Sequence, residues 1–238
     1  MNFIGIDGCK VGWFIFSINE NDEFSYNLIT SLDEIKAIII PDDNILLDIP
    51  IGLRSMGAQE RLCDKGARKV LGKRRSSVFP APSRLALNAK TYEEASAINR
   101  KNCGRGLSKQ SYAIIPKIKE VDEFLMNDTS NLDIREMHPE VCFWALNGGI
   151  PMQYNKKKSE GFEERLGLLR KYAPNIGKVV DEILTTYKRK EVAKDDIHDA
   201  AVGAVTLRYA KELKTIPEIP EVDEKGLKME MVYADVFY

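Results

Sequence analysis

The segment Phe3-Ile4-Gly5-Ile6-Asp7-Gly8-Cys9-Lys10-Val11-Gly12-Trp13 decides how this chain folds. Its first half is an apolar run that predicts a buried strand over residues 2–7, with Asp7 at the end of the strand. Burial of a carboxylate is costly unless the group is paired with a cation or bound to a metal ion. We therefore expect Asp7 to have a partner elsewhere in the chain.

The following segments predict the sheet that grows from this first strand. Residues 11–18 and 24–29 read as two further strands, and their short connections indicate an antiparallel meander. Residues 44–48 predict a fourth strand that ends in Asp48, and the helical crossover before it would make it parallel to the first. A fifth strand is expected over residues 133–137.

The rest of the chain is predicted to be mainly helical. The predicted helices cover residues 59–71, 108–126, 159–172 and 174–187, and a last helix runs from Asp195 or Asp196 to about Glu212. The body of the last helix, residues 200–207, is apolar on all sides, which indicates burial against the sheet. At the C-terminus, residues 232–238 could add an edge strand.

Two acids on the last helix complete a group of four. Asp196 and Asp199 are three residues apart, so they share one helix face. If the first and fourth strands are parallel neighbours, Asp7 and Asp48 leave the sheet on the same side, where a buried helix could meet them. Four carboxylates repel each other unless a cation lies among them, and hard oxygen ligands suit Mg²⁺ or Mn²⁺. The pattern therefore predicts a divalent-metal site that serves phosphoryl displacement.

Each aspartate also has an ordinary structural interpretation. Asp7 and Asp48 could stabilise turns, before Gly8 and Pro50 respectively. Asp195 or Asp196 could cap the last helix. Asp199 is the hardest to explain in this way, because it lies beyond the cap on an otherwise apolar helix.

Composition sets the class of protein and excludes some functions. The chain has 238 residues, is 44% hydrophobic and 30% charged, and has a net charge of −1, which predicts one globular domain and no global attraction to polyanions. Its four cysteines, Cys9, Cys63, Cys103 and Cys142, form no C-x-x-C pair, so neither a zinc site nor a disulfide framework is indicated. We expect no membrane segment and a cytoplasmic location, and the sequence carries no signal of oligomeric state.

The acidic pattern resembles the ribonuclease-H-like superfamily, and its Holliday-junction resolvase branch in particular. There an acid follows a G-I-D-like strand, the fourth strand ends in an acid, and the final helix carries a D-x-x-D-A pair. The corresponding residues here are Gly5-Ile6-Asp7, Asp48, and Asp196-Ile197-His198-Asp199-Ala200. The resemblance assigns Asp7, Asp48, Asp196 and Asp199 as catalytic metal ligands.

The chain is also similar, over about its whole length, to the domain-of-unknown-function family 429, whose members are predicted nucleases of this superfamily. The similarity rests on Gly5 to Trp13, Asp48-Ile49-Pro50-Ile51-Gly52-Leu53, Arg74-Arg75-Ser76-Ser77-Val78-Phe79, Gly106 to Gln110, Lys117 to Asp122, and Glu136-Met137-His138-Pro139-Glu140. It implies an α/β fold with a mixed five-stranded sheet in the order 3-2-1-4-5, strand 2 antiparallel. Helices would flank the sheet, and a basic helical insertion over about residues 51–128 would follow strand 4.

The insertion is the basic part of the chain. Residues 1–50 carry a net charge of −7, residues 51–119 carry +12, and residues 120–238 carry −6. Arg61, Lys65, Arg68 and Lys69 recur at helical spacing and predict one positive helix face. A basic surface beside an acidic metal pocket suits a phosphodiester of DNA or RNA. A solvated helix face that pairs with the acidic flanks is the ordinary alternative.

Further residues are candidates for the site. The predicted substrate-binding residues are Lys10, Arg68, Lys73, Arg74, Arg75, Arg84, Ser108 and Gln110. Glu136, at the end of the fifth strand, is either an additional catalytic ligand or an exposed acid at a strand end.

The sequence is compatible with three alternative functions. The first is a metal-dependent phosphodiester hydrolase, in particular a nuclease that uses Mg²⁺ or Mn²⁺. The second is an actin-like or sugar-kinase-like phosphotransferase, although Gly8-Cys9-Lys10 lacks the hydroxyl of a phosphate loop. The third is a non-catalytic module that binds nucleic acid through its basic face.

Overall fold

A mixed five-stranded sheet forms the centre of the protein. The computed structural model describes residues 1–236. The strands are β1 (Asn2–Gly8), β2 (Trp13–Asn19), β3 (Phe24–Ile29), β4 (Asn44–Asp48) and β5 (Ile134–Glu136), in the order β3-β2-β1-β4-β5. β2 is antiparallel to β1 and β3, whereas β4 is parallel to β1 and to β5. The predicted α/β class, strand order and strand directions are confirmed.

Both faces of the sheet are covered, which explains why β2 is apolar at nearly every position. Ile4 and Ile6 of β1 belong to one buried cluster, while Phe14 and Phe16 of β2 belong to another on the opposite face. A strand that is buried on both faces carries a continuous apolar run rather than an alternating one. The segment that opens the chain therefore forms the middle of the molecule.

Helices surround this sheet. They are α1 (Leu62–Leu71), α2 (Tyr92–Cys103), α3 (Lys109–Ala113), α4 (Ile115–Asn127), α5 (Pro139–Leu146), α6 (Ser159–Tyr172), α7 (Ile176–Thr186) and α8 (Lys194–Tyr209), with 3₁₀ helices at Leu32–Ala37, Gly72–Ser77 and Arg84–Asn88. α1 to α4 lie in the insertion between β4 and β5. The predicted helix over residues 108–126 is divided into α3 and α4, with Pro116 in the first turn of α4.

The C-terminal segment differs from the prediction. The last helix ends at Tyr209, and Glu212 opens a strand, β6 (Glu212–Val222), which pairs with β7 (Lys228–Asp235) in a separate two-stranded sheet. Pro217 and Pro220 lack the backbone N–H that a helix requires, so the segment continues in extended form. The expected strand over residues 232–238 is thus part of a hairpin and not an edge of the main sheet, and Phe237 and Tyr238 lie outside the described residues.

Within residues 1–236, no helix combines the length and the apolar character that crossing a membrane requires.

Candidate metal centre

Three aspartates from three separate elements meet at one edge of the sheet. Asp7 of β1 and Asp48 of β4 are direct neighbours in the parallel register. Asp199 of α8 approaches from above the sheet, and one carboxylate oxygen from each of the three lies within 4.8 Å of the others. Asp7 is 7% exposed and Asp199 is 2% exposed, so the group is largely withdrawn from solvent.

Small residues let α8 come this close to β1. A Cβ placed on Gly5 would lie 1.9 Å from the carbonyl oxygen of Ala200, and a Cβ on Gly203 would lie 3.0 Å from the Cα of Gly5. The helix backbone therefore rests directly on the strand, and Asp199 reaches the level of Asp7. The apolar body of α8, interpreted from the sequence as a buried surface, is what holds the third carboxylate in place.

The three carboxyl groups disturb one another strongly. The pKa of Asp7 is raised well above its ordinary value by burial and then by the charges of Asp48 and Asp199. Burial and the Asp199 charge likewise raise the pKa of Asp48, and burial raises that of Asp199. Oδ1 of Asp199 is buried and has no hydrogen-bond partner among the described residues. Buried polar atoms are rarely left unsatisfied, so this oxygen indicates a missing cationic or hydrogen-bonding partner.

A lysine that the sequence did not single out is bonded to this group through Asp199. Nζ of Lys156 is bonded to Oδ2 of Asp199 and is 3.9 Å from Oδ2 of Asp195. Burial alone would lower the pKa of Lys156, but the Asp199 and Asp7 carboxylates outweigh it and raise that pKa. Lys156 lies in the loop between α5 and α6, where three consecutive lysines look like ordinary surface charge, so the sequence offers no signal for its position.

Asp196 lies at the edge of the centre. It is outside the three aspartates that lie within 4.8 Å of one another. Its Oδ2 accepts a hydrogen bond of 2.8 Å from the backbone N–H of Ala193, which caps α8. Burial, followed by the charges of Asp195 and Asp199, raises the pKa of Asp196 to about 6 against the capping bond. Asp196 thus combines the capping role with proximity to the centre, and its predicted role as a ligand stays a prediction.

Glu136 is held in a different network. Its two carboxylate oxygens each accept a 2.8 Å hydrogen bond from Arg61, and one of them also accepts from the N–H of Ile51. Arg61 in addition donates to Asp64, and all three charged side chains are buried. Cys63, Asp64 and Glu136 have the spacing of a metal site, but the guanidinium of Arg61 is already bonded to both carboxylates. This network fixes the insertion to the end of β5. The alternative interpretation of Glu136 as an exposed acid at a strand end is wrong, because its side chain is buried.

The positive face predicted for α1 is smaller than expected. Arg61 precedes the helix and is buried, and Arg68 is paired with Glu60. Helical spacing could not reveal that Arg61 turns inward, because its partner Glu136 comes from a distant segment. Lys65 and Lys69 remain exposed on α1.

The other predicted substrate-binding residues fall into two groups. Lys10, Lys73, Arg75 and Gln110 are exposed and available to a ligand. Ser108 caps α3 by accepting from the N–H of Ser111. These roles stay predictions.

Arg84 and Arg74 are already engaged with acids of the same chain. Arg84 bonds to Asp122 and Asp223 at 2.7 and 2.6 Å. Arg74 lies 3.5 Å from Oε1 of Glu140. The charge of Glu140 also contributes to the raised pKa of Asp199, after burial.

Comparison with known proteins adds a family. No curated protein sequence and no solved structure matches the chain significantly. The family described as "Protein of unknown function (DUF429)" matches residues 5–223, which include β1, β4, α8 and hence all three aspartates of the centre. The chain therefore belongs to the DUF429 family.

Proposed function

We propose that this protein is a divalent-metal-dependent phosphodiester hydrolase whose substrate is nucleic acid. The observation that carries the proposal is the meeting of Asp7, Asp48 and Asp199 within 4.8 Å, with the buried Oδ1 of Asp199 unpartnered among the described residues. The ordinary roles of a helix cap or a turn do not account for this unpartnered oxygen beside two further carboxylates.

The donor set suits a hard divalent cation. All three groups offer carboxylate oxygen, which Mg²⁺ and Mn²⁺ prefer over the nitrogen and sulfur ligands of zinc. Cys9, the nearest thiol in the sequence to Asp7, has a raised pKa because of burial, so it is a poor metal ligand. The sheet order is the one implied by the ribonuclease-H-like resemblance, and we extend the proposal to membership of that superfamily.

Each aspartate would have a distinct task. Asp7 and Asp48 would hold an ion at the sheet edge, and Asp199 would close its coordination from the helix side. When bound, Mg²⁺ or Mn²⁺ supplies a water of lowered pKa and stabilises negative charge at phosphorus. Because the three carboxylates approach from two rigid strands and a packed helix, their geometry is set before substrate arrives.

Exposed cations of the insertion favour a polyanionic substrate. Lys73 and Arg75 are exposed on the Gly72–Ser77 helix, which contacts the start of α5 through Ser77 and His138. Phosphate contacts from such residues position a nucleic acid strand without reading its sequence. We also propose a cytoplasmic location, in keeping with four free and buried cysteines.

The test is cleavage of labelled single- and double-stranded DNA and RNA by purified protein, with Mg²⁺, Mn²⁺ or chelator. We expect cleavage only with the metal ion, and its loss in Asp7→Asn and Asp199→Asn. Asp42→Asn, which removes an exposed aspartate, is the matched control and should cleave as the wild type does.

Two results would overturn the proposal. Cleavage by Asp7→Asn at the wild-type rate would show that the cluster is not the reacting centre. Binding of nucleic acid in chelator, without cleavage under any condition, would favour the non-catalytic module instead.

A further inference from the structure

The position of Lys156 suggests how many metal ions the centre takes, and this inference rests on the proposed function. Nζ of Lys156 bonds to Oδ2 of Asp199, while Oδ1 of the same carboxylate is buried without a partner. One oxygen of Asp199 is thus satisfied by a cation from the chain, and the other is left for a ligand. The two halves of this carboxylate are used differently.

We infer that Lys156 is a resident cation of the centre, which takes the place of one divalent ion, so that the site binds a single Mg²⁺ or Mn²⁺. Asp7, Asp48 and Asp199 carry three negative charges when ionised, and the ammonium of Lys156 leaves a net charge of minus two. One divalent ion balances the charge of these four groups, while Asp195 and Asp196 lie at the edge of the centre. A second ion would have to displace Lys156 or remain beside it at close range, and like charges at such distances repel strongly.

The loop that carries Lys156 is built to hold it there. Glu164 of α6 accepts hydrogen bonds of 2.7 and 3.0 Å from the backbone N–H groups of Gln153 and Tyr154. The fully buried Arg165 donates to the carbonyl oxygen of Tyr154. These three bonds fix the loop on α6 immediately before Lys156.

A glycine on α6 allows the loop to lie so close. A Cβ on Gly161 would meet the carbonyl oxygen of Asn155 at 2.0 Å and the backbone nitrogen of Lys156 at 3.0 Å. The loop backbone therefore rests against the helix with no space for a side chain. The backbone position of Lys156 is therefore fixed relative to α6, and its ammonium needs only the bond to Asp199 to stay at the centre.

During hydrolysis, the same ammonium would face the phosphate. Its side chain is about a third exposed (34%), so it is partly accessible to solvent. An ammonium beside the metal position would stabilise the negative charge that develops on the phosphoryl oxygens.

The experiment is titration of the metal-free protein with Mn²⁺, with free Mn²⁺ measured by electron paramagnetic resonance. We expect one Mn²⁺ per wild-type chain, and none at this site in Asp7→Asn. Lys156→Met should either bind a second ion or bind the first roughly tenfold or more tightly, because a like charge near the ion has been removed. Lys157→Met, in the same loop but exposed, is the matched control and should match the wild type.

Gly161→Ala provides a second route to the same answer, because it displaces Lys156 without removing its charge. We expect its Mn²⁺ binding to change in the same direction as in Lys156→Met. Two ions in the wild type, or binding by Lys156→Met that is unchanged or weaker, would overturn the inference and leave the proposed function standing. Absence of any Mn²⁺ site that depends on Asp7 would overturn the proposed function itself.

Discussion

Replacement of Asp7 by Asn should stabilise the metal-free protein while it removes the metal site. Asp7 is buried beside Asp48 and Asp199, with one oxygen of each within 4.8 Å of its own. At that distance and an effective dielectric constant of about 20, each pair of ionised carboxylates repels by about 3.5 kcal/mol. The attraction of Lys156 for Asp7 is weaker than either repulsion and offsets part of it, so we expect Asp7→Asn to raise the free energy of unfolding by about 3 kcal/mol or more.

The stability that Asp7→Asn gains over the wild type should depend on pH, and the direction of the pKa shift of Asp7 determines whether it grows or shrinks as pH rises. The pKa of Asp7 is raised in the folded state, so the folded protein holds this proton more tightly than the unfolded chain does. The stability that the protonated form contributes is present at low pH and is lost as pH rises through the raised pKa. Asn has no proton to lose, so the advantage of the variant should be largest at about pH 8 and small at about pH 4.

The assay is urea denaturation in the presence of chelator, at several pH values, for wild type and Asp7→Asn. Asp43→Asn is the matched control, because Asp43 is also buried but accepts hydrogen bonds from the backbone N–H groups of Asn2 and Ile40. Asp43→Asn should lower the free energy of unfolding by about 1–3 kcal/mol, because it weakens these hydrogen bonds. An Asp7→Asn protein that is no more stable than wild type at the upper pH would refute the electrostatic reasoning.

Three further predictions concern residues around the centre and the titration of its carboxylates. Arg61→Met should lower the free energy of unfolding by about 3–5 kcal/mol, because it leaves Glu136 buried and unpaired. The Arg61→Met/Glu136→Gln double variant should be more stable than Arg61→Met, and a less stable double variant in urea denaturation would contradict this. Gly5→Ala should push α8 away from β1, lowering both the melting temperature and Mn²⁺ affinity, since the new Cβ would lie 1.9 Å from the Ala200 carbonyl oxygen; wild-type values by thermal shift and Mn²⁺ titration would contradict it. The metal-free wild type should lose stability as pH rises from the ordinary carboxyl pKa of 3.8 through the raised pKa values, which include about 6 for Asp196. Saturating Mg²⁺ should reverse that loss in a pH series of melting temperatures. A stability that rises with pH over this range in chelator would contradict the clustering of the carboxylates.

The direction of the strands could be predicted from local patterns, whereas their order was implied by the family resemblance. Short connections make neighbouring strands antiparallel, and the helical crossover before residue 44 makes β4 parallel to β1. No local pattern determines that β4 lies beside β1. Given that position, Asp7 and Asp48 were expected on the same side of the sheet, because each ends its strand.

The features that were missed depend on contacts between distant segments. Arg61 has helical spacing with Lys65 and Arg68, yet it turns inward because Glu136 and Asp64 lie buried beneath it. Lys156 reaches the centre only because Gly161 and Glu164 hold its loop against α6. No periodicity encodes such contacts.

The C-terminal segment was not predicted correctly for a different reason. The helical pattern of α8 gives no clear stop before Glu212, and the prolines that follow lie several residues beyond Tyr209. The helix ends where the chain must turn to begin β6. β6 pairs with β7 and not with the main sheet. Tertiary packing determines this pairing, and strand propensity does not.

Asp7, Asp48 and Asp199 are proposed to hold a divalent cation together. Anomalous scattering from crystals grown with Mn²⁺ tests this directly. We expect one Mn²⁺ peak at roughly 2.1 Å from oxygens of all three aspartates, including Oδ1 of Asp199, with Lys156 still bonded to Oδ2. Saturating Mn²⁺ with no peak at this position, or a peak beside Cys63, Asp64 and Glu136 instead, would contradict it.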